Sequence, residues 1–87
     1  MSSVILAYEW PRNADTMSIE LVPSAKWINT RLREGTVYLF FSACAGPDLR
    51  TRTFEMFPSG KSIPAYSLYC GTVIKNGEWV HIVEVMP

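Results

Sequence analysis

Apolar and polar residues alternate with a period of two along most of this chain, and turn-forming residues interrupt them after runs of seven to ten positions. That spacing is the signature of half-buried β-strands joined by tight connections. The first strand is expected over Val4 to Trp10, stopped by Pro11 and the polar run Arg12-Asn13-Ala14-Asp15. The second covers Thr16 to Val22, where Met17, Ile19 and Leu21 share one face; Pro23-Ser24 ends it. In the third, Lys26 to Arg33, strict alternation puts Ile28, Thr30 and Leu32 on one side. Trp27, Asn29, Arg31 and Arg33 fall on the other. Ser24 to Arg33 is also the one stretch able to hold a helical turn. Glu34-Gly35 then reads as a two-residue hairpin turn.

Thr36 to Cys44 is nearly continuously apolar, with Val37, Leu39, Phe41 and Ala43 on one face and Tyr38, Phe40, Ser42 and Cys44 on the other. Such a run predicts a central strand covered on both sides. A turn at Ala45-Gly46-Pro47-Asp48 leads to a strand from Arg50 to Phe57. The segment Pro58 to Ala65 is irregular. Tyr66 to Lys75 and Glu78 to Met86 form a closing hairpin around Asn76-Gly77, the strongest hairpin signal in the sequence. About seven short strands in one domain, residues 1–87, predict an all-β fold: a small antiparallel sandwich or a partly open barrel.

Composition narrows the function classes. With eight acidic and eight basic side chains among 87 residues the formal net charge is zero. Proteins that coat DNA or RNA need a basic excess to displace counterions, so general nucleic-acid binding is not expected. Weak charge repulsion leaves a homo-oligomer open. Met1 to Ala7 carries no basic segment before its apolar run, and no stretch is long enough to span a bilayer as a helix. The expected compartment is therefore the cytoplasm, with no membrane contact. Cys44 and Cys70 are read as free thiols. Two cysteines and a single histidine, far apart in sequence, are a poor basis for a metal site, and no cofactor is expected.

Several short motifs occur in a fixed order: Tyr8-Glu9-Trp10-Pro11, Glu20-Leu21-Val22-Pro23-Ser24-Ala25-Lys26, Arg52-Thr53-Phe54, Tyr69-Cys70-Gly71-Thr72 and His81-Ile82-Val83-Glu84. Ordered this way, nearly end to end, the chain resembles a family of small phage and prophage proteins built on a domain of unknown function. Pro58-Ser59-Gly60-Lys61 stands where that family usually has Gly-Thr-Gly-His. The resemblance implies a β fold and a phage context, and no reaction.

No complete catalytic set is visible in the sequence. His81 faces with Trp79, Val83 and Val85, and no nearby residue in sequence offers it a nucleophile. Glu78 and Glu84 share a strand but lie ~20 Å apart along it, too far to act as a carboxylate pair. Two features suit anion binding instead. In the loop Pro58-Ser59-Gly60-Lys61-Ser62, Gly60 allows close backbone approach, Lys61 brings charge, and Ser59 brings a hydroxyl. The same residue types also mark an ordinary exposed turn.

The second feature is a set of strand-borne arginines, Arg31 with Arg33 and Arg50 with Arg52, whose planar forks match phosphate. Trp27 and Tyr66, with Tyr8, Tyr38 and Trp79, offer surfaces on which a base could stack. Against this, arginines commonly decorate a solvated sheet face, and aromatics commonly form core. The expected function is that of a phage counter-defence protein, not an enzyme, that sequesters a nucleotide-derived host immune signal. The expected site comprises Ser59, Gly60, Lys61, Arg31, Arg33, Arg50, Arg52, Trp27 and Tyr66. The alternatives are an inhibitor directed at a host defence protein, of anti-CRISPR or toxin-blocking type, and a small phage accessory protein.

Overall fold

Two tight turns anchor the architecture. At Glu34-Gly35 the φ angles are 51° and 79°, and at Asn76-Gly77 they are 52° and 79°. Positive φ at both central positions defines the type I′ turn, whose twist matches that of the strands it joins. The computed structural model describes residues 2–86 of the chain. The two turns connect β3 (Lys26–Arg33) to β4 (Thr36–Cys44) and β6 (Ser67–Lys75) to β7 (Glu78–Val85). The remaining strands are β1 (Ser3–Glu9), β2 (Thr16–Leu21) and β5 (Arg50–Pro58). No helix occurs among the described residues, so none is long and apolar enough to cross a membrane.

Every strand pairing is antiparallel. A three-stranded sheet has the order β1-β4-β3 and a four-stranded sheet the order β2-β5-β7-β6. They face each other as an open sandwich, not a closed barrel. Val37, Leu39, Phe41 and Ala43 point inward from β4. Met17, Ile19 and Leu21 meet them from β2, Phe54 from β5 and Ile82 from β7. Phe41 packs edge-on against both Tyr8 and Phe54, with ring centroids 5.8 and 5.6 Å apart. The outer face of β4, expected to be covered, is only half-buried at Tyr38, Phe40, Ser42 and Cys44. No third layer lies over it; the two flanking strands and their side chains provide what shielding there is.

Two β-bulges set the geometry of one side. In β3, Trp27 pairs with Phe41 and Asn29 with Phe40, so Ile28 is an extra residue. This corrects the face expected for Trp27. It turns inward, with Thr30, while Arg31 and Arg33 stay outside. Its indole Nε1 donates to Thr30 Oγ1 at 2.8 Å, a contact three residues along that strict alternation forbids. In β6, Tyr69 pairs with Val83 and Thr72 with His81, so Cys70 and Gly71 together oppose one residue. Thr30 Oγ1 donates to the Cys70 carbonyl, which ties the β3 edge to the β6 edge. Gly71 is required there. Its φ is +99°, and a Cβ would lie 3.1 Å from Thr30 Cβ.

The end of the sandwich near the hairpin turns is closed by the β1–β2 connection. Trp10 is buried there, with its amide donating to Val37 O at 2.8 Å and its indole to Ala14 O at 2.7 Å. Residues 59–66 connect β5 to β6. These two strands run parallel to each other on either side of β7, so the connection has to cross β7. The inner face there is filled by Ile82 and Glu84, so the crossing lies on the outer face. Val83, which points outward and takes no part in the core between the sheets, is fully inaccessible beneath it.

Candidate functional site

The expected binding residues separate into three places. The first is the outer face of the three-stranded sheet. Register aligns Glu9, Tyr38 and Arg31 in one row across β1, β4 and β3, Ala7, Phe40 and Asn29 in the next, and Thr36 with Arg33 beyond. The outcome is a groove of about 530 Å³ lined by Ala7, Arg31, Leu32, Arg33, Tyr38 and Phe40. Both arginines are exposed. Among the described residues the sole ion pair lies elsewhere, so neither guanidinium is neutralised by a carboxylate. The only acid in the row, Glu9, is 3.5 Å from the Tyr38 hydroxyl. Two free planar cations beside two half-buried rings can grip an anionic group and support a flat one at the same time.

The second place is the cleft between the sheets. Arg52 points inward, where Nε donates to Glu84 Oε2 at 2.7 Å and Nη2 to Oε1 at 2.8 Å. Its Nη1 donates to the Ala25 carbonyl at 2.7 Å. The guanidinium carbon also sits 5.7 Å from the Phe41 ring centre and 6.0 Å from that of Phe54. Its pKa is raised, chiefly by the hydrogen bonds to Glu84. Arg52 is therefore already engaged with a carboxylate, unlike the free phosphate fork that the sequence pattern predicts. Burial, reinforced by the Glu84 carboxylate, pushes the neighbouring Cys70 thiol up to about 11. A thiol so protected is a poor nucleophile at neutral pH. Trp27 and Arg52 do meet in this cleft, of about 380 Å³, with Leu68 and Tyr69 at its mouth. Cys44 and Cys70 are both free.

The third place is the crossover on the opposite outer face. Ser59, Gly60 and Lys61 form the turn that leaves β5, and Tyr66, 80% exposed, closes the connection. The Ser59 hydroxyl lies 2.7 Å from His81 Nε2, so it is already engaged with the imidazole and not free to cradle an anion. Lys61 is exposed and belongs to the four-stranded sheet's side, across the sandwich from Arg31 and Arg33. Arg50 sits at the rim, opposite Leu21 at the start of β5. The structure thus joins Arg31 with Arg33, and Trp27 with Arg52, but does not gather the four arginines, Lys61 and the aromatics into one pocket.

Two features escape a reading of the sequence. Phe40 lines the arginine groove beside Tyr38, although its place on an apolar central strand marks it as core. Ser59 serves His81 across 22 positions of chain. Among the described residues no cluster of side chains could hold a metal ion. Comparison with protein-family models, with curated proteins and with solved structures returned no match to this chain.

Proposed function

We propose that this protein is a stoichiometric binder of an anionic, ring-bearing small molecule of the nucleotide class. It holds that molecule on the outer face of the three-stranded sheet and captures it without converting it. The observation that carries this reading is the pair of unneutralised arginines, Arg31 and Arg33, set against Tyr38 and Phe40 in a groove of about 530 Å³. A phosphate takes the guanidinium forks, and a base or ribose lies along the rings. The groove is shallow. A second copy of the chain laid over it would supply the missing wall, as symmetric oligomers often do. The resemblance to phage and prophage proteins adds the biological setting: sequestration of a host immune signal in the infected cell.

Calorimetric titration of cyclic dinucleotides, cyclic trinucleotides and ADP-ribose-type compounds tests this directly. At least one should bind wild type below roughly 10 μM, near −7 kcal/mol. Arg31→Ala or Arg33→Ala should each lose roughly 1.5–3 kcal/mol, ten- to a hundredfold. Lys61→Ala, on the far side, should bind as wild type does. If no nucleotide binds at that level, the reading fails in favour of a protein partner. One observation favours that second reading. Trp79, 58% exposed, and Ile74, 50% exposed, face each other across the β6–β7 hairpin and leave apolar surface in water. Aromatic anchors of this kind are common at protein interfaces.

A further inference from the structure

The crossover begins with a turn in which Lys61 N–H donates to Pro58 O at 3.3 Å. Gly60 is its third residue, with φ of 93°, the positive value a type II turn requires there. Ser59 consequently stands at the corner of the turn, exposed, with its Oγ 2.7 Å from Nε2 of His81. On the other side of the imidazole, Nδ1 lies 3.0 Å from Thr72 Oγ1 and 3.4 Å from the Tyr69 hydroxyl. These are the parts of an activated nucleophile: a hydroxyl within reach of a base, and a third group that orients the base. With the Nδ1 proton donated to Thr72 Oγ1, the Nε2 lone pair faces the Ser59 hydroxyl. Ser59 and Gly60 are both exposed, and a Cβ added at Gly60 would meet nothing within 4 Å. Phe57, paired with His81, and the exposed Trp79 put apolar surface on the same face.

We propose that Ser59 is an acylatable nucleophile with His81 as its general base, and that its substrates are esters with apolar or aromatic groups. Ser59 Oγ bonds to the acyl carbon as the carbon–oxygen bond to the alcohol breaks. The hydroxyl proton passes to His81 Nε2 and from there to the departing alkoxide. Water then attacks the acyl-serine, giving a proton to Nε2 that returns to Ser59 Oγ as the carboxylic acid leaves. The Gly60 amide follows the nucleophile directly in the chain and is the first backbone donor in sequence for the oxyanion. Thr72 and Tyr69 are positioning residues that hold the ring. This site is independent of the arginine groove and lies on the opposite face.

The test is intact-mass analysis of the folded protein with an alkyl fluorophosphonate, in which the Oγ–phosphorus bond forms and fluoride leaves. One adduct per chain should appear and map to Ser59. Ser59→Ala should give none. His81→Gln should label at least about tenfold more slowly, the low end of what a general base contributes. Thr72→Val should slow labelling in the same direction, and Thr72→Ser should restore it, which a purely structural contact would not do. Release of nitrophenolate from p-nitrophenyl acetate should follow the same order. Circular dichroism identifies any variant that fails to fold. The comparison of native with urea-unfolded wild type needs no variant: labelling has to vanish on unfolding. Absence of an adduct on folded wild type overturns the proposal, as does equal labelling in urea or in a folded Thr72→Val.

Discussion

Replacing Glu84 with alanine removes the carboxylate that receives both Nε and Nη2 of Arg52. What remains is a guanidinium held by one carbonyl, Ala25 O, and two ring faces. Stranding a buried charge by deleting its partner costs about 3–5 kcal/mol. The Arg52 side chain is 19% exposed, at a cleft that admits water, which places the expected loss near the lower bound, about 3 kcal/mol. For a domain of this size that is a fall in Tm of about 12–24 °C. Urea denaturation followed by tryptophan fluorescence measures it. The double variant Arg52→Met/Glu84→Leu replaces the pair with apolar side chains and leaves no orphan charge. It should return to within about 1 kcal/mol of wild type. A loss under about 1 kcal/mol for Glu84→Ala would show the pair to be solvated. A double variant as weak as the sum of the two single variants would show that the groups are not coupled.

Phe41 is fully inaccessible and contacts two other rings, so Phe41→Ala should cost about 3–5 kcal/mol; a value under about 1 kcal/mol would displace the core from β4. Gly71→Ala should cost at least about 2 kcal/mol by denaturant titration, from the positive φ and the approach of Thr30; a neutral result would mean the bulge relaxes freely. In the folded protein a thiol reagent at pH 8 should modify Cys44 and spare Cys70, and both should react after unfolding without reductant. Cys70 ionises near 8.5 when unfolded and at about 11 when folded. The unfolded chain releases its proton first, so the contribution is complete below about pH 8 and declines as pH rises from 9 toward 11. Urea midpoints across that range should show a decline that Cys70→Ala reduces; an identical decline in that variant would remove Cys70 as its source.

The fold was readable wherever local chemistry fixes local geometry. Asn76-Gly77 and Glu34-Gly35 are turns because few other residues accept those φ values, and the apolar side of β4 faces inward because its alternation has no break. The candidate sites were harder, for a physical reason. Alternation carries information only while the strand keeps its register. Ile28 and the Cys70-Gly71 pair each insert a residue, after which parity gives the wrong face. Trp27 accordingly leaves the arginines it was grouped with, and Tyr69 and Thr72, three positions apart, come to share a face beneath His81. Pairing between strands distant in sequence is also invisible locally: nothing in Arg50-Thr51-Arg52 says that one arginine stays at the rim while another meets Glu84. Ser59 reaches His81 only through a crossover whose path depends on the order β5-β7-β6.

That strand order also dictates a sequence of events in folding. The β3–β4 and β6–β7 hairpins are local and close on a timescale of about microseconds. β5 has no such neighbour: it pairs with β7, across the whole of the crossover and β6, and with β2 from the other direction. Only when β5 and β6 both flank β7 can residues 59–66 lie down over Val83. The strap therefore closes only after both β5 and β6 have paired with β7 and, held at its ends by Ser59 N–H to Trp79 O and Met86 N–H to Tyr66 O, should lift before those pairings break. Amide exchange should show those two protons leaving ahead of the β5–β7 ladder, in an opening that separates Ser59 from His81 while the arginine groove stays intact.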